Sequence, residues 1–405
     1  MLYLRDLIIL NMIRTYRLIC IIAFSLLLLP ARPAFASETT DVDFDSRSLS
    51  FRQDKKKVRF AYDVGFEMNF DNREFYKSKF SRSMTIFGAR LTPAVGLSVR
   101  QSKNINHKVM LGVDILKDFG SQTLNKELFR EMTLYYQMDK KTGKNLFSLQ
   151  AGIFPRSSME GAYSEAFFSD SLRFYDNNIE GLLLKLHRPK AYFELGCDWM
   201  GQYNPQIRER FMIFTSGQAR LAPVFSLGYS AYMYHFANSY YIHGLVDNFL
   251  INPYMKFDLA SYTGLQKSIV RLGWLQALQN DRDHVGHYVF PGGAELEMEV
   301  KHWNVGVRNR LFMGSDMMPY YNNYDMGGIK YGSNLYMGDP FYRVHDDGKT
   351  GFGTYDRLEA YYEPNIGSYL KLRVAAVFHF NNMSYSGTQQ MVGLKFDLHG
   401  LMGRK

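Results

Sequence analysis

The stretch VRFAYDVGFEMNF, residues 58–70, alternates strictly between two kinds of side chain. The even positions, from Val58 to Phe70, carry large apolar residues, and the odd positions carry charged, polar or small residues such as Arg59 and Glu67. A period of two predicts a β-strand with one apolar and one polar face. Because either a protein core or a lipid bilayer would accept the apolar face, the rest of the chain has to decide between them.

The same alternation recurs along the chain. It is clear in HKVMLGVDIL (107–116), AELEMEVK (294–301), SYLKLRVAAVFHF (368–380) and MVGLKFDL (391–398). An amphipathic helix would instead space its apolar residues by three and four. Sixteen strands are predicted in all: 58–70, 81–101, 107–116, 128–138, 145–154, 178–187, 190–199, 208–218, 222–236, 245–258, 267–279, 293–300, 303–313, 353–363, 368–380 and 388–398.

The predicted strand 81–101 contains Pro93, which has no backbone N–H to give to a neighbouring strand, so a bulge is expected there. The apolar row nevertheless passes through Pro93 without a slip of one residue, and we interpret the segment as one strand. With this interpretation, the connections after even-numbered strands are mostly short and those after odd-numbered strands mostly longer. The longest are 155–177 and 314–352.

Short turns at one end and long loops at the other are typical of a transmembrane β-barrel. The sequence therefore predicts an all-β fold, a transmembrane antiparallel β-barrel of about 16 strands at 58–398, with short periplasmic turns and long extracellular loops. A soluble β-sandwich also alternates, but it would not separate short from long connections in this way. Trp199 and Trp303, at the ends of apolar rows, also favour a membrane interface.

This layout resembles the general porins of Gram-negative outer membranes, through the arrangement of strands and loops rather than through a sequence motif. The resemblance implies a channel for passive diffusion of small hydrophilic solutes or ions, a loop after the fifth strand that folds into the channel, and a possible homo-oligomer. The chain departs from the family in two respects. Phe396 is followed by DLHGLMGRK instead of ending the chain, and the loop 155–177 lacks a Pro-Glu-Phe-Gly-Gly type of turn.

Residues 1–36 have the features of a secretory signal peptide. Arg14 precedes the apolar run LICIIAFSLLLL, and Ala34-Phe35-Ala36 fits a cleavage site. Translation that starts at Met12 would keep all of these features.

The remaining organisation follows from these assignments. Residues 37–57 are predicted to be a short periplasmic segment, and 399–405 a C-terminal tail. An exported barrel is expected in the cell outer membrane, with outer-membrane lipid and lipopolysaccharide as partners. The net charge of +9 is spread along the chain, and we expect no nucleic-acid partner.

If the apolar faces contact lipid, the charged faces line the lumen, because a charge facing mid-bilayer costs about 2–4 kcal/mol. Sixteen strands enclose a lumen wide enough for water. The last four strands and the first would then bring together a basic arc, formed by Arg59, Arg308, Arg310, Arg357, Lys371, Arg373 and Lys395. Asp63 and Glu67 are further pore-lining candidates. The plainer alternative is that these residues are hydrated wall charges without a role in selectivity.

The loop 155–177 supplies candidates for a constriction. Glu160, Glu165 and Asp170 are predicted to face the basic arc across the lumen, where oppositely charged walls would orient dipolar solutes and set an ion preference. The alternative is an ordinary surface loop. The Tyr-rich connection 314–352 would either cap the outer mouth or offer stacking faces to sugars.

No catalytic residue, cofactor or metal site is predicted, and the protein is not expected to be an enzyme. Asp281, Asp283, His284 and His287 are interpreted as a chance cluster in a loop. No His is followed two residues later by Ser, the arrangement that a hydrolase resembling the outer-membrane phospholipase would need. The alternative functions are a non-conducting surface or binding barrel and a barrel hydrolase.

Overall fold

The structure, a computed structural model, describes residues 58–76, 78, 80–121, 128–325, 327–344 and 351–402. The predicted signal peptide 1–36 and the predicted segment 37–57 lie outside these residues. The described strands form one closed antiparallel barrel of sixteen strands. The predicted fold class is confirmed.

The strands follow one another around the barrel in chain order. Their bounds are β1 Val58–Phe75, β2 Met84–Ser102, β3 Ile105–Asp118, β4 Phe129–Thr142, β5 Asn145–Pro155, β6 Asn178–Arg188, β7 Ala191–Gly201, β8 Arg210–Ala222, β9 Phe225–Phe236, β10 Val246–Asp258, β11 Lys267–Asp281, β12 Gly292–His302, β13 Val305–Gly314, β14 Gly353–Tyr362, β15 Leu370–Asn381 and β16 Ser384–Met402. β1 pairs with both β2 and β16, so the sheet has no open edge.

The segment around Pro93 is a single strand, as predicted, but the expected bulge is absent there. Pro93 pairs with Val64 of β1, and the register with β3 is the same before and after it, at Leu91↔Ile115 and Ala94↔Gly112. Around Pro93, the ladder between β2 and β3 omits the positions between these two pairs and keeps its register. This gap accommodates the missing N–H without an inserted residue, which explains why the prediction of a bulge was wrong.

Connections at the two ends of the barrel differ in length. One end, here called the short-turn end, has 103–104, 143–144, 189–190, 223–224, 259–266, 303–304 and 363–369. The other, the long-loop end, has 76–83, 119–128, 156–177, 202–209, 237–245, 282–291, 315–352 and 382–383. The connection 382–383 is short because Asn382 and Met383 both have positive φ, the geometry of a tight type I′ hairpin turn.

The last strand is longer than predicted. β16 continues to Met402, which pairs with Phe60 of β1. The predicted tail 399–405 is therefore strand as far as Met402, and residues 403–405 lie outside the described part of the chain. The extension follows from β1, whose first residues need a partner strand of matching length.

The apolar faces of the strands point outward. Val95, Leu111 and Leu182 are about half exposed, whereas Met110 and Asp114, on the inward face of β3, are buried. A continuous apolar outer surface around a closed barrel is characteristic of contact with lipid. The apolar residues quoted at the start of β1 lie on this outer surface.

Two loops fill much of the lumen. The inner loop, 156–177, and the capping loop, 315–352, contribute buried aromatic residues to one cluster with the barrel wall, including Phe167, Tyr331 and Phe341. Helices are confined to short pieces in the described chain, and none of these is long and apolar enough to cross a membrane.

Candidate functional site: the charged lumen

The inner loop begins on the wall formed by β5, β6 and β7. Arg156, which is buried, donates to the carboxylate of Asp198 on β7 at 2.8 Å. Glu194, also on β7, accepts from the backbone N–H of Glu160 at 2.7 Å and from the hydroxyl of Tyr163 at 2.9 Å. These contacts fix the start of the loop against one side of the lumen.

Glu160 stays on this side. Its carboxylate pairs with Lys185 at 2.6 Å and lies 2.8 Å from the ring of His187, both on β6. Burial alone would raise the pKa of Glu160, but the hydrogen bond from His187 and the charge of Lys185 lower it to about 2. The prediction that Glu160 faces the basic arc is therefore wrong, because cations on its own side of the barrel hold it.

Glu165 lies on the opposite side of the lumen. Its carboxylate forms an ion pair with Arg310 of β13 and lies 3.4 Å from Arg357 of β14. Arg310 and Arg357 are direct cross-strand neighbours. Two like charges in that position repel each other, and the Glu165 carboxylate between them offsets the repulsion.

Asp170 reaches the same wall more loosely. It begins a short helix, Asp170–Tyr175, whose N-terminal Ser169 accepts from the N–H of Leu172. The Asp170 carboxylate lies 3.5 Å from Arg357 and remains partly exposed. Of the three acidic loop residues, the structure thus brings Glu165 and Asp170 to the predicted basic wall.

The basic wall is interleaved with carboxylates. Arg308 pairs with Glu299 of β12 at 3.1 Å, and Arg373 of β15 pairs with Glu359 of β14 at 2.6 Å. Lys395 is the cross-strand neighbour of Glu67. The arc is therefore a network of ion pairs with an excess of cations, and this arrangement holds its long side chains in place.

A cavity of about 480 Å³ separates the inner loop from this wall. Eight of its lining side chains are cationic and five are acidic. The lining includes the predicted residues Glu67, Arg308, Arg310, Arg357, Arg373, Lys395, Glu165 and Asp170.

Three predicted pore-lining residues lie elsewhere. Arg59 is eight residues from Glu67 along β1, or about 26 Å towards the short-turn end. Asp63 is four residues from Glu67 in the same direction, and Lys371 is exposed near the start of β15. The predicted arc is correspondingly shorter in the structure. Arg59 and Asp63 lie at a different height along the barrel from the cavity. Lys371 pairs with Lys395 but stays outside the lining of the cavity.

The capping loop closes over the inner loop. The N–H of Asp339 donates to the carbonyl of Glu165 at 2.7 Å, and the N–H of Ser169 donates to the carbonyl of Met337 at 2.9 Å. Between them, Gly338 lies so close to Ala166 that a Cβ would stand 2.1 Å from its carbonyl oxygen. The tyrosines of the capping loop are largely buried; Tyr342, for example, donates to Glu295 at 2.6 Å.

Several residues of the site were not among the sequence candidates. Arg73, Arg156 and Arg173 line the cavity, and Glu194 anchors the inner loop. Glu194 occupies an inward position of a strand that alternates, so the sequence pattern was sufficient to place it in the lumen. Arg156 and Arg173 lie in a loop, where alternation gives no orientation. Among the described residues, no group of three or more His, Cys, Asp or Glu is arranged to hold a metal ion.

Comparison with known proteins gives two kinds of similarity. Residues 52–243 match the model of a family described as lipid A 3'-O-deacylase-type. Comparison with curated protein sequences found no match to this chain.

Solved structures share the fold. A loop-deletion mutant of OmpT, an outer membrane protein of Vibrio cholerae, is 10% identical, with 85% of this chain and 100% of that chain covered and a TM-score of 0.50. OprD of Pseudomonas aeruginosa is 11% identical, with 85% and 96% covered and a TM-score of 0.46. At 10% identity, the likeness to OmpT extends to the fold alone, which is that of an outer-membrane β-barrel.

Proposed function

We propose that the protein is an outer-membrane channel for the passive diffusion of small hydrophilic solutes, with a preference for anions. The observation that carries the proposal is the cavity between the inner loop and the wall of Arg308, Arg310 and Arg357, in which cationic side chains outnumber acidic ones. Charges lining a narrow aqueous path favour ions of the opposite sign. No residue is assigned a catalytic role in this proposal.

The test is the single-channel current of the refolded protein in a planar bilayer. We expect stepwise, ohmic openings and, under a KCl gradient, a reversal potential of the sign that anion preference gives. Silence from a barrel that is shown to be folded by its heat-modifiable migration would contradict the proposal.

The family match at residues 52–243 favours a second candidate, an acyl-ester hydrolase acting on lipid A. Such an enzyme would need a catalytic group on the outer face. Two histidines of the matched segment lie there: His107 bonds to Tyr136 and Gln101 at 2.7 Å, and His235 packs on Phe211. In the described part of the chain, no serine hydroxyl lies within hydrogen-bond distance of either ring.

Mass spectrometry of lipid A separates the two candidates. The refolded protein is incubated with lipid A, beside the double variant His107→Ala, His235→Ala. The channel proposal expects intact lipid A in both samples. Loss of an acyl chain with the unmodified protein alone would favour the hydrolase.

A further inference from the structure

The rim at the short-turn end is divided into two chemically different sectors. The basic sector comprises the exposed cations of three consecutive turns, in the first half of the barrel: Lys103, Lys140, Lys141, Lys144, Arg188 and Lys190. The aromatic sector comprises the exposed apolar residues of three turns in the second half: Tyr262, Trp303, Ile366 and Tyr369. The two sectors occupy the same end of one closed barrel.

The basic sector has no acidic residue of its own. Residues 103–104, 140–145 and 188–191 contain no Asp or Glu, and nearby Asp139 is buried, where it accepts from Ser148. In the other half, two of the cations near the turns have acidic partners, since Lys301 pairs with Glu363 at 3.1 Å and Lys267 with Glu299 at 3.5 Å. The positive charge of the rim is therefore concentrated on one side.

The aromatic sector indicates the height of this rim relative to the membrane. Trp303 is 80% exposed, and Tyr262 and Tyr369 are more than half exposed. Trp and Tyr in such positions lie at the level of lipid headgroups. The turns of the basic sector belong to the same end of the barrel, so we expect them near the level of the lipid phosphates.

We infer that the basic sector is a binding surface for anionic phospholipid headgroups of the leaflet at the short-turn end. Lys140 and Arg188 face outward at the short-turn ends of β4 and β6, next to the apolar outer surface of these strands. A lipid can therefore place its chains on that surface and its phosphate beside the two cations. Juxtamembrane clusters of Lys and Arg attract anionic lipids in this way. The inference does not depend on the proposed channel activity.

The test is native mass spectrometry of the whole barrel after incubation with equal amounts of phosphatidylglycerol and phosphatidylcholine. The unmodified protein is expected to retain at least threefold more phosphatidylglycerol. The variant Lys140→Gln, Lys144→Gln, Lys190→Gln should bring that ratio close to one, and raised salt should lower the ratio for the unmodified protein because it screens exposed charges.

A matched variant, Arg82→Gln, Arg130→Gln, Lys330→Gln, removes the same charge from exposed positions near the long-loop end and should keep the threefold ratio. Equal retention of the two lipids by the unmodified protein would overturn the inference. An equal loss of the ratio in both variants would also overturn it, because the effect would then be one of net charge. Binding of both proteins to purified peptidoglycan is measured as well. If the Lys140→Gln, Lys144→Gln, Lys190→Gln variant loses this binding but keeps the lipid ratio of the unmodified protein, the sector binds a cell-wall polymer and the inference is overturned.

Discussion

At the scale of single residues, Glu165 joins the inner loop to the basic wall of the lumen. It is buried, and it lies between Arg310 and Arg357, two arginines that the barrel register makes neighbours. Removing one partner of a buried charge network is costly because the remaining charges lose their compensation. The side chain therefore has two effects, which are to hold the inner loop against the wall and to reduce the positive charge of the cavity.

The substitution Glu165→Gln is expected to increase anion preference and to raise single-channel conductance. It leaves both arginines uncompensated and weakens the attachment of the inner loop. The measurement is the reversal potential in a KCl gradient. Asp170→Asn is the matched comparison, and its effect should be smaller because Asp170 is more exposed and lies 3.5 Å from Arg357. Identical reversal potentials for the unmodified protein and Glu165→Gln would show that Glu165 does not affect ion preference.

Glu160 gives a prediction about pH. The pKa of this carboxyl is lowered from 4.5 to about 2, so the ionised form stabilises the fold. Its contribution is complete above about pH 4.5 and is lost as the pH falls towards about 2. Glu160→Gln should therefore lower the free energy of unfolding by up to about 3 kcal/mol at pH 7. The free energies of unfolding of the unmodified protein and of Glu160→Gln, measured with urea between pH 7 and pH 2, should converge as the pH falls. A difference between them that does not change with pH would contradict the prediction.

The facing of strand residues was predictable, whereas their partners were not. The period of two is sufficient to assign Glu67, Arg308 and Arg357 to the inward face. Alternation cannot say that Glu165 crosses the lumen while Glu160 remains beside Lys185. The path of a loop depends on packing that the local sequence does not encode, such as the hold of Glu194 on its backbone.

At the scale of elements, the two lumen loops depend on each other. Their backbones are joined on both sides of Gly338, by the bonds from Asp339 to Glu165 and from Ser169 to Met337. This approach requires a residue without a side chain at 338. The inner loop is thus fixed both by the wall and by the capping loop.

Gly338→Ala is expected to separate the two loops. The added carbon would meet backbone, which cannot rotate away, and overpacking of this kind costs about 1–3 kcal/mol. We expect a lower free energy of unfolding together with faster proteolysis of the capping loop. Gly328→Ala is the control within the same loop: a Cβ there has no neighbour within 4 Å, and its positive φ adds only local strain. Similar protease sensitivity in both variants would show that the close approach of Gly338 to Ala166 is not what protects the capping loop from proteolysis.

The elements themselves were largely predictable because each strand carries its own signal. The hairpin between β15 and β16 was the exception. Its residues were predicted as a loop of several residues, but Asn382 and Met383 form a two-residue turn. Met is an unusual residue at positive φ, so the sequence lacked the Asn-Gly signal that marks such turns.

At the scale of the whole molecule, the long-loop half of the lumen is packed with side chains and the cationic cavity lies to one side. Tyr331, Leu335 and Phe341 of the capping loop are buried within the barrel. The capping loop thus limits the width of any aqueous path. Its influence on the lumen could not be read from the sequence, where Tyr-rich loops are compatible with both exposed and buried positions.

Replacing residues 318–343 with a short Gly-Ser linker is expected to raise single-channel conductance several-fold, because it removes the buried part of the capping loop. The control shortens only the tip, residues 327–330, which are all exposed, and keeps the buried Asp325 that pairs with Arg208 at 3.0 Å. Its conductance should stay near that of the unmodified protein. Unchanged conductance in the larger deletion, in a barrel with normal heat-modifiable migration, would show that the capping loop does not restrict the path.

The pairing of β1 with β16 also has a consequence for how the molecule is made. Phe60 meets Met402, so the seam joins the two ends of the described chain. Until the last strand is available, the nascent sheet has two free edges and a large apolar surface, and free edges promote association between chains. A barrel that lacks β16 would therefore expose both edges and its apolar surface to other copies of the chain. A truncation that removes only β16 should consequently be more damaging to production than its small share of the sequence suggests.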